Sequence, residues 1–225
     1  MTRLWVTVLS VIFVSSTTAY AGSCTDPGNF TPRAVIDTKF AKFPSGQVAV
    51  YSDGSEQSIV SVLPHYVRAG GIWWRAISDI GGEISTGLLG ESTIDLYAEN
   101  KSGDVCYGGE ITTAFEYSSS PNLNDLSDEG SFVHGFQGER AGTYMVANPT
   151  VGQTWTIESI DGGSLREVAK VTALTATQVT LQISHFEDGD LTEIETKVFD
   201  GRGELSASVA GEPTSNRISI VGGVQ

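Results

Sequence analysis

Gln178-Val179-Thr180-Leu181-Gln182-Ile183-Ser184-His185 is the stretch that decides the fold class. Val179, Leu181, Ile183 and His185 share one parity and Gln178, Thr180, Gln182 and Ser184 the other. Such a period of two belongs to a half-buried antiparallel strand and not to a helix. The pattern extends outward from this segment. Leu205, Ala207 and Val209 alternate with Glu204, Ser206 and Ser208, and Trp155 and Ile157 alternate with Thr154, Thr156 and Glu158. Further upstream, Ile94, Leu96 and Ala98 alternate with Asp95, Tyr97 and Glu99, which predicts another half-buried strand. Asp53-Gly54, Gly70-Gly71, Gly81-Gly82, Asp161-Gly162-Gly163, Asp188-Gly189 and Asp200-Gly201 punctuate the chain with tight-turn signals.

Strands are therefore predicted near 153–160, 166–173, 177–186, 191–199, 203–209 and 216–221. The fold class is all-β: an antiparallel meander that forms an open or closed barrel, with a two-sheet sandwich as the alternative. No amphipathic helix is evident. Ser118 to Gly130 is polar, contains Pro121 and lacks periodicity, so it is expected to be a long surface loop.

The chain has 225 residues, with 27 acidic against 13 basic side chains and a net charge of -14. Such a polyanion is repelled by phosphate backbones and no Lys/Arg run offers a local exception, which argues against nucleic acid and anionic membrane surfaces as partners. At 40% hydrophobic residues the composition is that of an ordinary globular domain.

Residues 1–21 read as a cleaved signal peptide: Arg3 supplies the positive charge, Leu4 to Val14 the apolar stretch, and Ala19-Tyr20-Ala21 the cleavage site. The apolar run is shorter than the roughly 20 residues that span a bilayer, so the protein is not expected to be an integral membrane protein. Residues 22–225 then form a single β-rich domain, secreted or periplasmic. Cys24 and Cys106 are the only cysteines. In an oxidising compartment they are expected to form one disulfide that ties the N-terminal arm to the body.

The segment Asp95-Leu96-Tyr97-Ala98-Glu99-Asn100-Lys101-Ser102-Gly103-Asp104-Val105-Cys106-Tyr107-Gly108-Gly109-Glu110, continued by Gly138 to Gly142 and by Asn148-Pro149-Thr150-Val151-Gly152-Gln153-Thr154-Trp155, resembles a pattern found in uncharacterised secreted bacterial β-rich proteins. The resemblance covers about residues 93–160. It departs at Cys106, where an aromatic residue is usual, and it implies a secreted β-rich fold without any activity to transfer.

Candidate chemistry is sparse. His65, His134 and His185 are too far apart in sequence for a local metal motif. His185 falls on the apolar face of its strand. His134, beside the polar loop, is the candidate catalytic residue, with Asp128 and Glu129 as loop carboxylates. Ser131 is three residues from His134, but such a pair points to opposite faces of a strand, and no G-x-S-x-G elbow occurs. Glu187, Asp188, Asp190, Glu193 and Glu195 crowd one hairpin, and among them Asp188, Asp190 and Glu193 are candidate Ca²⁺ ligands without EF-hand spacing. Trp73-Trp74-Arg75 is the candidate ligand platform, because adjacent indoles on a strand face opposite sides. No cofactor motif is present. The leading expectation is an exported β-domain that binds a small ligand, a glycan or an envelope protein. The alternative is a secreted hydrolase or lyase that uses His134 with the loop carboxylates.

Overall fold

A computed structural model describes residues 24–119, 122–128, 131–136 and 139–223; the expected signal peptide lies outside them. Fourteen strands follow in order: β1 (Val48–Ser52), β2 (Glu56–Ala69), β3 (Ile72–Glu83), β4 (Leu89–Glu99), β5 (Val105–Ser119), β6 (Asn122–Ser127), β7 (Phe132–Val133), β8 (Arg140–Met145), β9 (Thr154–Ile160), β10 (Leu165–Leu174), β11 (Gln178–Glu187), β12 (Asp190–Asp200), β13 (Gly203–Val209) and β14 (Ser215–Val221). All pairings are antiparallel. Neighbours around the ring follow chain order, with β14 returning to β1, β5 passing to β8, and β4 pairing with β5. The result is a closed twelve-stranded meander barrel, with β6 and β7 attached to β5 outside the ring. Closure gives every ring strand a partner on both sides, with the β13–β14 and β8–β9 seams registered over two residue pairs each.

The six strands expected in the C-terminal third all form, each within a residue of the predicted bounds. Residues 118–130 differ from expectation. Asn122–Ser127 is a strand, registered Phe115↔Leu126 and Tyr117↔Leu123 on β5. Its side chains are largely exposed, so no burial period marks it in sequence.

One half of the lumen is packed solid. Val105, Met145, Trp155, Val171, Val179, Leu181 and Phe199 project inward and meet Ile36, Phe40 and Ala41 from the segment before β1. That segment is a plug of irregular chain. Thr38 Oγ1 accepts from the Ala41 amide at 3.1 Å, the Phe43 amide donates to Ile36 O at 3.0 Å, and Lys42 pairs with Asp37 at 2.6 Å. The Asp37 amide also donates to Glu99 Oε2 at 2.9 Å. Each large apolar side chain buried there contributes about 1.5–3 kcal/mol relative to exposure.

A second apolar cluster lies on the outside of the wall. Trp74, Ala76, Leu96, Ala98 and Cys106 are covered by Cys24 and Phe30 of the N-terminal arm, with Val133 packed against them. The Cys24–Cys106 disulfide, spanning 82 residues, fastens this cover. The apolar parity of β4 is buried as its alternation predicts, but on the outer side of the wall. Leu96 and Ala98 face outward under the arm, and Asp95 and Tyr97 face the lumen.

Two glycines permit this inversion on β5. Tyr97 pairs with Tyr107 and Asp95 with Glu110, so Gly108 and Gly109 bulge opposite Leu96. A Cβ on Gly108 would stand 2.6 Å from the Trp74 ring, and Gly109 has φ +104 with Phe132 O 2.2 Å from where its Cβ would be. The bulge shifts parity, so Tyr107 and Glu110, three residues apart, both point inward.

Candidate functional site

Above the plug the lumen opens into a cavity of about 360 Å³. It is lined by Asp79 of β3, Glu91 and Asp95 of β4, Glu110 of β5, Glu158 of β9, Glu167 of β10, Lys197 of β12 and Glu204 of β13. A second depression of about 710 Å³ between Glu56, Leu89, Phe115 and Tyr117 shares Tyr51, Ser58, Glu91 and Ser215 with it, and forms the mouth. Tyr97, Tyr107, Tyr144 and Phe43 make the boundary between the acidic chamber and the apolar floor; Tyr97 meets the other three rings at tilted or edge-on angles, with centroids 4.8–5.2 Å apart.

Confinement of so many carboxylates determines their protonation. Burial, reinforced by the charge of Glu110, pushes Asp95 up to about 7. Burial, reinforced by Glu167, pushes Glu158 up to about 8. Burial also raises Glu110, Asp79 and Glu204. Tyr107 Oη lies 3.0 Å from both Asp95 Oδ1 and Glu110 Oε2. A hydroxyl has one proton to give, so satisfying both contacts requires a proton on one of the two carboxyls.

Lys197, His185 and Arg202, which also lines the cavity, balance part of this charge. Lys197 Nζ lies 3.3 Å from Glu195 and 3.8 Å from Glu204. Burial alone would lower its pKa, yet these carboxylates hold it well above the ordinary value. About a quarter of its side chain is accessible, and that surface faces the chamber instead of bulk solvent. His185 Nδ1 contacts Glu167 Oε1 at 2.9 Å, and this bond, with the Glu195 carboxylate 3.8 Å from Nε2, pushes its pKa up to about 10. Asp79 Oδ1 and His185 Nε2 have no hydrogen-bond partner in the protein.

The expected site residues are dispersed. His134 is buried against the outside of the wall: Nδ1 accepts from the Ala141 amide at 3.1 Å and the ring meets Trp74 edge-on at 5.9 Å. Burial lowers its pKa, which leaves the imidazole neutral and committed to packing. Asp128 is exposed, and Glu129 lies outside the described residues. Trp74 is fully buried and donates to Ala69 O at 3.0 Å. Trp73 is half-buried, and Arg75 is buried with Nη1 donating to Leu63 O at 3.0 Å. Asp188 and Asp190 are exposed at the β11–β12 turn, while Glu193 lies 3.7 Å from His185 Nε2. Among the described residues no three His, Cys, Asp or Glu side chains are gathered to hold a metal ion. His185 faces inward as its register predicts, and His65 is exposed.

Sequence reasoning missed the chamber. Asp95, Glu110, Glu158 and Lys197 come from four strands, and the bulges at Gly108-Gly109 and between Glu167 and Val168 break the parity that would have aligned them. The available signal was the acidic excess itself, since neither Asp95 nor Glu158 has a basic neighbour in sequence. Compared with known proteins, the chain matches no family model, no curated protein and no solved structure.

Proposed function

We propose that the protein is an exported β-barrel that binds a small hydrophilic ligand, rich in hydrogen-bond donors or positively charged, in the chamber above the plug. The observation that carries this reading is a cavity open at one end, floored by apolar plug residues, and lined by carboxyls that greatly outnumber cations. Such a lining repels anions and gives little reward to apolar molecules, whereas an entering cation or polyol meets ready acceptors, including the unpartnered Asp79 Oδ1.

The outer wall supports an aqueous setting for this ligand. Thr154, Lys170, Gln182, Thr196 and Ser208 stand in one cross-strand row over β9–β13. A lipid-facing barrel needs an apolar band there. The disulfide and the signal-like N-terminus both fit export.

Thermal-shift and calorimetric titration with small amines, diamines and sugars tests the reading. Binding by at least one of these, abolished by Ser58→Trp at the shared rim, is expected. No binding to any of them, or binding unchanged in that variant, contradicts it.

One observation favours a catalytic second reading. Asp95 and Glu110, sharing the Tyr107 hydroxyl, have the makings of an acid and a base side by side at the edge of the chamber. On this reading a hydrolase or lyase would work from the lumen and not from His134. Turnover of a bound ligand that disappears in both Asp95→Asn and Glu110→Gln would establish it.

A further inference from the structure

The plugged end of the barrel presents a different electrostatic face from the mouth. Tyr66 pairs with Arg75 and Arg68 with Trp73 across the β2–β3 hairpin, so these four side chains share one face. Arg33, from the segment before β1, lies over the Trp73 ring at 4.4 Å, and Arg68 is 5.9 Å from the same ring. Arg75 lies 3.9 Å from the Tyr66 ring and is almost fully buried, and its Nε has no hydrogen-bond partner.

In a chain with twice as many acids as bases, three guanidiniums gathered in one place would be expected to be neutralised. They are not: among the described residues none of the three forms an ion pair. Glu99, on the adjoining strand, accepts from the Asp37 amide instead. The arrangement is also held in place. Arg33 adopts a left-handed backbone, φ 57, unusual for a residue with a Cβ, and the Tyr66 hydroxyl donates to its carbonyl at 3.0 Å. Arg75 donates in turn to that hydroxyl. A buried guanidinium thus fixes a tyrosine, which fixes the strained turn that sets Arg33 over Trp73.

We propose that Arg33, Arg68 and Trp73, backed by Arg75, form an oxyanion site that takes a phosphate monoester group. Guanidiniums present forked donors that match phosphate oxygens, and their stacking on aromatic rings keeps those donors pointed outward while limiting side-chain freedom. Three guanidiniums, none of them ion-paired among the described residues, suit a dianion better than a single carboxylate. The site is separate from the chamber, and the two select opposite charges.

The test titrates the purified protein with inorganic phosphate by calorimetry and, separately, sediments it with vesicles containing phosphatidic acid or phosphatidylcholine alone. Arg33→Gln and Arg68→Gln alter exposed side chains, and circular dichroism checks that the barrel persists. Each variant is expected to weaken phosphate binding about tenfold, with Arg68→Lys recovering part of it. Binding of inorganic phosphate identifies a soluble source. Binding only to phosphatidic acid vesicles, lost in the same variants, identifies a lipid headgroup. Binding in neither arm, or binding equal in wild type and both Gln variants, overturns the proposal.

Discussion

The two halves of the lumen are built from the same strands and differ in almost everything else. On β11, Val179 and Leu181 lie in the packed floor and His185 lies among carboxylates; on β12, Phe199 packs below while Lys197 and Glu195 face the chamber. The floor gains its stability from close packing against a plug. The chamber gives up stability, because its carboxylates are desolvated and repel one another, and it relieves part of that cost by holding protons. Regular strand geometry supplies both environments, and side-chain choice along each strand decides which end stores energy and which end leaves room for a ligand.

Substitutions in the floor should produce the largest effects. Phe40→Ala removes a ring with 2% exposure from the centre of the plug. A loss of about 3–5 kcal/mol in denaturant unfolding is expected. A loss below about 1 kcal/mol would mean that the plug is not packed into the barrel. The outside cover follows closely. Replacing both Cys24 and Cys106 with Ser, at the bridge that spans 82 residues, should cost about 2–5 kcal/mol, read in the same assay.

The chamber should instead reveal itself through pH. Asp95 and Glu158 have folded-state pKa values above their unfolded ones, near 7 and 8, so the folded state holds protons that the unfolded chain releases. Their contribution is greatest below about pH 4 and declines as pH rises to 7 or 8. His185 acts in the same direction. With a folded-state value near 10, its stabilisation is complete below about pH 6.5 and is lost as pH climbs toward 10. Unfolding free energy should therefore fall by several kcal/mol between pH 5 and pH 9, and Glu158→Gln should flatten the lower part of that slope. A rise in stability across the same window would sink this account of the chamber. The smallest effect belongs to the outer wall, where Thr196→Ala should change stability by less than about 0.5 kcal/mol.

Much of the barrel could be read from alternation alone. Every strand from Thr154 to Val221 follows a period-two run or a turn signal, and those strands register with one another with few interruptions. The reading failed where the physics is not local. Residues 36–43 alternate only briefly, with Ile36, Thr38 and Phe40 buried and Asp37 and Lys39 exposed, and nothing local shows that this short run fills the barrel. Leu96 and Ala98 are buried as their alternation implies, but the burial comes from the disulfide-tied arm on the outside. The candidate site was less accessible still. His134 stood out as a rare residue near a polar loop and proved to be packing for Trp74. Arg33, Arg68 and Arg75 are scattered along the chain, so only the fold assembles them into the local exception to a strongly acidic surface.

The most direct test of the central claim, that acidic side chains from separate strands converge in a partly desolvated chamber, is an NMR titration of the Asp95 and Glu158 carboxyl carbons in the purified protein. Midpoints near 7 and 8 are expected, with the Asp95 midpoint falling when Glu110 is changed to Gln. Midpoints near 4 for both groups, unmoved by that substitution, would contradict it.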